Sequence, residues 1–170
     1  MNKGLVHLYC GQGKGKTTAA MGLALRALGQ GMQVVVIQFL KTGTSGELEP
    51  LRRLGAVVRS GKPGAKFTFQ MNAAEKTQAA AENNERLREA LTLPCDLMIL
   101  DEICAARQSG LLDETLAKQA VLDRPRGREV VLTGREPEQW MLDAADYITE
   151  MQALRHPYVQ GIPARKGIEF

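Results

Sequence analysis

The stretch Leu5-Val6-His7-Leu8-Tyr9-Cys10-Gly11-Gln12-Gly13-Lys14-Gly15-Lys16-Thr17-Thr18-Ala19-Ala20 decides the fold. It opens as a short apolar run of β type, passes through glycines alternating with Gln12, Lys14 and Lys16, and enters a segment that places Ala20, Leu23, Ala24, Ala27 and Leu28 on one helical face. Strand, glycine loop, helix is the context in which a Gly-Lys-Thr ending reads as a phosphate-binding loop. Small glycines let successive backbone N–H groups converge on phosphate oxygens, and the helix N-terminus adds the positive end of its dipole. Lys16 supplies a mobile point charge and the Thr17 hydroxyl a ligand for Mg²⁺. The expected ATP contacts are therefore Gly11, Gln12, Gly13, Lys14, Gly15, Lys16, Thr17 and Thr18. The pattern departs from the usual GxxxxGK[ST] at its first position, which is Cys10. A GxGxxG dinucleotide fingerprint is not met, because its last glycine would fall on Lys16.

Outward from the loop, β-branched runs recur at Gln33–Phe39, Ala56–Arg59, Asp96–Leu100, Glu129–Thr133 and Tyr147–Met151, after the first at Leu5–Cys10. Helical segments fall between them, at Thr17–Leu28, Ala73–Leu91, Leu111–Leu122 and Pro137–Ala145. Gly, Pro and charge cluster in loops at Thr42–Gly46, Ser60–Gly64 and Arg124–Arg128. Val34-Val35-Val36-Ile37 is apolar on both faces, as in a parallel strand covered by helices on each side. The expected fold is α/β, a P-loop (RecA-like) doubly wound, mainly parallel sheet. At 170 residues with 44% apolar and 24% charged positions, the chain reads as a single domain.

A net charge of +3 without a run of consecutive Lys or Arg does not resemble a nucleic-acid stripe and suits small anionic ligands better. No apolar run approaches the roughly 20 residues needed to cross a bilayer, so no membrane partner is expected. Cys10, Cys95 and Cys104 are too few and scattered for a disulfide framework and point to a reducing, cytoplasmic setting. Small buried side chains are the simpler reading of Cys95 and Cys104.

The run Asp96–Leu100 ends in Asp101 and Glu102, which puts two carboxylates at the C-terminal edge of a buried strand, where open α/β sheets bind ligands. One of them can hold Mg²⁺ opposite Thr17, directly or through water. Glu129–Thr133 leads likewise to Gly134 and Arg135, and Arg135 is a candidate phosphate or substrate contact. Arg26 is a further candidate nucleotide contact. It lies too far along the first helix to touch the loop itself, and a surface position explains it equally well. These features do not choose a reaction, because phosphate loops serve kinases, hydrolases and other transferases alike.

The chain also carries Cys10–Ala20 (CGQGKGKTTAA), Gln38–Lys41 (QFLK), Phe67–Phe69 (FTF), Leu100–Glu102 (LDE), Leu132–Arg135 (LTGR) and a tail with Arg155, His156–Gly161 and Gly167–Phe170. In this collinear combination it strongly resembles the ATP:corrinoid adenosyltransferases of the CobA/BtuR (CobO) type. The resemblance makes Cys10 a variant within a family loop. It implies that Co(I) of a reduced corrinoid attacks the 5′ carbon of ATP and that triphosphate leaves. The loop, Lys16, Arg135 and Mg²⁺ then stabilise a leaving group, with ATP placed so that its ribose carbon faces the nucleophile. A general base is not needed, in keeping with only His7 and His156 as histidines. Phe67 and Phe69 are implied to pack against the corrinoid and exclude its lower axial ligand. From alternation alone they read as core residues of a short strand.

The resemblance further implies an electron donor such as a flavoprotein and a homodimer. Only Met1–Gly4 precede the first strand, where some relatives carry an extra helical segment, so closure of the site is expected from Ala73–Leu91 or a partner subunit. Two other readings stay open on the residues alone: a P-loop kinase or ATPase, and a non-catalytic ATP-dependent protein that holds a corrinoid for delivery.

Overall fold

The computed structural model describes residues 4–62, 64, 66 and 68–169. Its strands are β1 (Val6–Cys10), β2 (Val34–Gln38), β3 (Val57–Arg59), β4 (Leu97–Asp101), β5 (Glu129–Thr133) and β6 (Tyr147–Glu150). They form one sheet in the order β3-β2-β4-β5-β1-β6, and every pairing is parallel. The register aligns Gln38 with Asp101 and Tyr9 with Thr133, so these strand ends meet at one edge.

Each strand is joined to the next in the chain by a crossover connection, which places helices on both faces of the sheet. The long helices are α1 (Lys16–Gly29) and α3 (Ala73–Leu91); the shorter ones are α2 (Leu48–Arg53), α4 (Ile103–Gln108), α5 (Glu114–Leu122) and α6 (Gln139–Ala144). Because side chains alternate along a strand, β2 feeds two cores. Val34 and Val36 join Ala20, Ala24, Leu48 and Leu51 under α1 and α2. Val35 and Ile37 join Leu87, Ile103, Ala117 and Met141 under α3 to α6. Every residue of β2 and β4 is buried, whereas the edge strand β6 is exposed throughout.

The helix boundaries follow local chemistry. α3 begins at a capping box, in which the Asn72 side chain accepts from the Glu75 amide and the Glu75 carboxylate accepts from the Asn72 amide. α5 begins later than the apolar pattern suggests, because Asp113 accepts from the Leu116 amide and fixes the start. The sequence pattern does not reveal α2 and α4, whose six residues each are too few to display a 3.6-residue period. Thr68–Gln70 is a turn of 3₁₀ helix rather than a strand. Among the described residues no helix is long and apolar enough to cross a membrane.

Candidate functional site

The glycine loop leaves the C-terminal end of β1 and enters α1. Cys10 is still part of the strand, buried and aligned with Glu150 of β6, which is why this position does not require glycine. Gly11 and Gly13 press against the end of β6. A Cβ on either would stand 2.6 Å from the Met151 carbonyl oxygen, closer than real side chains approach. Gly15 has φ 111, a left-handed geometry that glycine adopts without cost, and it opens α1 with no side-chain cap. The amides of the first turn of α1 therefore lack both intrahelical partners and a capping side chain, which leaves a donor set suited to an anion.

Lys16 lies over the loop and donates to the Gly11 and Gly13 carbonyl oxygens, each at 2.7 Å. Burial lowers its pKa, opposed in part by Glu102. The next residue, Thr17, reaches across to β4. Its Oγ1 donates to Asp101 Oδ1 at 2.8 Å, and Thr133 Oγ1 of β5 donates to the same oxygen at 2.7 Å. Asp101 Oδ2 accepts from Gln38 Nε2 at 3.1 Å and from Lys41 Nζ at 2.7 Å. Lys41 Nζ lies 3.1 Å from Thr17 Oγ1 as well. Asp101 is 0% exposed, so its charge is held by this shell of four side chains.

Glu102 follows with φ 63, and Leu40, just before Lys41, has φ 55; they are the two non-glycine residues with positive φ among those described. Each such conformation costs on the order of 1–3 kcal/mol and persists only where the surroundings impose it. Both strained residues flank the same pair, Lys41 and Asp101. Burial raises the Glu102 pKa, with Asp101 adding to the rise and Lys41, Lys16 and Arg135 opposing it. Glu102, Lys41, Lys16 and Arg135 share one cleft of about 650 Å³, within the size range of small-molecule sites.

The predicted residues Gln12, Gly13, Lys14, Gly15, Lys16, Thr17, Thr18, Glu102 and Arg135 line this cleft. Gly11 binds the Arg135 carbonyl through its amide at 3.0 Å, and Asp101 sits beneath the floor. Arg26 is not brought to the cleft. It lies in the last turn of α1, ten residues beyond Lys16, and there lines a separate recess with Leu23, Gln30 and Tyr147. Phe69 is 84% exposed on its 3₁₀ turn, so the core-strand reading does not hold for it. It borders a second recess of about 500 Å³ with Leu40, Thr42, Lys62 and Met71. Lys41 lies in the wall of both recesses. Phe67 falls outside the described residues.

Residue-by-residue reading did not assign roles to Thr133 or Gln38, whose positions are set by strand register, to Lys41, which the turn after β2 places, or to the tail. Gly167, Ile168, Glu169 and His156 wall the cleft, a folding-back that no local pattern announces. Among the described residues no group of three or more His, Cys, Asp or Glu side chains comes together. A magnesium ion fits this donor set nonetheless, because it takes few protein ligands and completes its shell with phosphate oxygens and water. The Thr17–Asp101 pair already accommodates a cationic group in the form of the Lys41 ammonium.

The family described as "ATP:corrinoid adenosyltransferase BtuR/CobO/CobP" matches residues 2–170. A corrinoid adenosyltransferase of Pseudomonas aeruginosa is 36% identical over 99% of this chain and 84% of its own length. One from Sinorhizobium is 34% identical over 99% of this chain and 81% of its own length. One from Escherichia coli K12 is 32% identical over 99% of this chain and 86% of its own length. With the loop, the Asp101 shell and the full-length match together, this chain belongs to the ATP:corrinoid adenosyltransferase family.

Proposed function

We propose that the protein transfers the 5′-deoxyadenosyl group of ATP to the Co(I) centre of a corrinoid and releases triphosphate. The observation that carries this reading is the family match over residues 2–170. The cleft agrees with it. The free amides of the first turn of α1, Lys16 and Arg135 face one volume in which a polyphosphate can sit. In the transfer, two electrons of Co(I) form the cobalt–carbon bond, and the bond between C5′ and the bridging oxygen breaks with its electron pair going to the triphosphate.

The chain's contribution is to bind that leaving group more strongly as its charge develops. Lys16 is positioned for this, since its ammonium already lies over the loop carbonyls and can turn to phosphate oxygens. Thr17, with Asp101 and Glu102 behind it, would hold Mg²⁺, which would offset the triphosphate charge. No proton leaves the nucleophile, so no general base is required.

The corrinoid is read as occupying the recess beside Phe69, next to the nucleotide cleft. Its exposed ring is suited to cover one face of a planar macrocycle and exclude an axial ligand, and the family resemblance gives Phe67 the same role. Reduction to Co(I) calls for an electron donor, and a flavoprotein fits. A homodimer is favoured by the apolar surface of Leu154, Tyr158 and Val159, all more than three-quarters exposed. A cytoplasmic setting accords with free Cys10, Cys95 and Cys104. One sheet carrying both cores supports reading 1–170 as a single domain.

The test is incubation with ATP, Mg²⁺ and chemically reduced corrinoid. A light-sensitive cobalt–carbon product with one equivalent of triphosphate in the phosphorus NMR spectrum is the expected result. Release of ADP in its place overturns the reading.

A further inference from the structure

The family match does not explain Lys41. Its ammonium bridges Thr17 Oγ1 at 3.1 Å and Asp101 Oδ2 at 2.7 Å, the hydroxyl and carboxylate that the proposed function assigns to magnesium. We infer that Lys41 is the resident cation of the metal site: it holds the place between Thr17 and Asp101 in the nucleotide-free protein, and yields it only when a divalent cation arrives with a polyphosphate.

Three features carry this inference. Asp101 is completely buried, and a buried carboxylate needs a permanent counter-charge. With Gln38 as its other Oδ2 partner and two threonine hydroxyls on Oδ1, Lys41 is, among the described residues, the one full positive charge within hydrogen-bond reach of the group. A second cation on the same oxygens meets both occupied lone pairs and like-charge repulsion, so a bare divalent ion is excluded.

The backbone also holds Lys41 in place. The positive φ of Leu40 sits immediately before it, and Phe39, fully buried, anchors the turn by donating its amide to the Asp101 carbonyl at 3.0 Å. Strain retained beside one ion pair marks a conformation imposed for that pair.

Finally, the ammonium has somewhere to go. Lys41 lines the nucleotide cleft itself, so a polyphosphate there offers new partners as the metal takes the old ones. The same side chain walls the recess beside Phe69, so the exchange is felt where the second substrate is read to lie. Lys16 is in the matching state, its ammonium bound to loop carbonyls until an anion replaces them.

The inference rests on the proposed magnesium role, and the experiment separates the two. The probe is Mn²⁺ alone, with the free ion followed by electron paramagnetic resonance in nucleotide-free protein. The Lys41→Met variant should bind Mn²⁺ at least about tenfold more tightly than wild type, since the competing state is removed. Its urea midpoint should fall in chelator and recover with Mn²⁺, while the wild-type midpoint ignores the ion. Lys41→Gln, which keeps a donor and loses the charge, should behave in the same direction if the methionine variant folds poorly. Equal nucleotide-free Mn²⁺ affinity in wild type and both variants overturns the inference. If wild type with ATP binds Mn²⁺ in a manner sensitive to Asp101→Asn, that failure belongs to Lys41 alone. If Asp101→Asn leaves Mn²⁺ binding with ATP unchanged, the magnesium reading fails and the inference falls with it.

Discussion

Thr17 Oγ1 donates to Asp101 Oδ1 at 2.8 Å, which ties the end of the glycine loop to the buried strand β4. The carboxylate is both a structural hub and the back wall of the metal position. Asp101→Asn keeps the shape but removes the charge, and its amide puts a donor in place of one acceptor oxygen inside a shell of four donors. The Lys41 ammonium left behind lines the open cleft and can turn to solvent, so the cost is about 1–3 kcal/mol, that of a mispaired buried polar group. The expected result in urea unfolding is a loss of stability of that size in the nucleotide-free variant, and Mg²⁺ should no longer improve its ATP affinity in calorimetry.

The loop glycines make a prediction that differs from phosphate binding alone. Gly13→Ala places a Cβ 2.6 Å from the Met151 carbonyl oxygen, a backbone atom that cannot rotate away. Overpacking of this kind costs about 1–3 kcal/mol. The variant should therefore be destabilised without any nucleotide present. A Gly13→Ala protein as stable as wild type, yet unable to bind ATP, would show that the end of β6 gives way.

Lys16→Ala should act the opposite way. The ammonium binds only loop carbonyl oxygens, at 2.7 Å each, in a partly exposed position. Stability should change by less than about 1 kcal/mol, since neutral-acceptor bonds of this kind contribute little net. Affinity for ATP should fall by roughly two decades, as expected when about 3 kcal/mol of charge-assisted phosphate contact is lost. Paired urea unfolding and calorimetric titration give both numbers.

Much of this architecture can be read in the sequence because its signals are local. The run Val34–Ile37 is apolar at every position, and only a strand covered on both faces needs that. The loop residues from Gln12 to Thr18 are contiguous, so their convergence on one cleft follows from a single turn. Lys41, Thr133 and Gln38 are different. Gln38 and Thr133 meet Asp101 through register between β2, β4 and β5, and Lys41 through the turn after β2 that Phe39 anchors to the Asp101 carbonyl, long-range relations that no periodicity encodes. Arg26 shows the converse, since nearly three turns of α1 separate it from Lys16 and carry its charge to a different recess. The 3₁₀ turn at Thr68–Gln70 is three residues long and follows a glycine-rich loop, so alternation around Phe69 imitates a strand.

Phe69→Ala removes a ring that is 84% exposed. Stability should stay within about 0.5 kcal/mol of wild type, as for surface substitutions generally. Calorimetric ATP affinity should also be unchanged, because Phe69 borders the second recess and not the nucleotide cleft. Adenosylation of a corrinoid carrying a lower axial base should fall markedly, and a corrinoid lacking that base should be affected less. Equal loss with both corrinoids would assign the ring to binding and not to ligand exclusion.

Cys104 supplies a prediction in pH. Burial, then the Glu102 charge, pushes its thiol up to about 12, well above the range of an exposed cysteine. A folded pKa above the unfolded value means that the native state keeps its proton while the unfolded chain loses it. The thiol's stabilising contribution is therefore complete below about pH 8.5 and is withdrawn as pH climbs toward 12. Between pH 8 and pH 10 this withdrawal amounts to about 2 kcal/mol. Cys104→Ala cannot show it. Urea unfolding of wild type and variant at the two pH values should thus reveal a stability gap that shrinks at pH 10, even though the variant starts lower for lack of packing. The same burial keeps Cys104 unreactive toward alkylating reagents in the native protein at pH 8, whereas the half-buried Cys95 should be modified first.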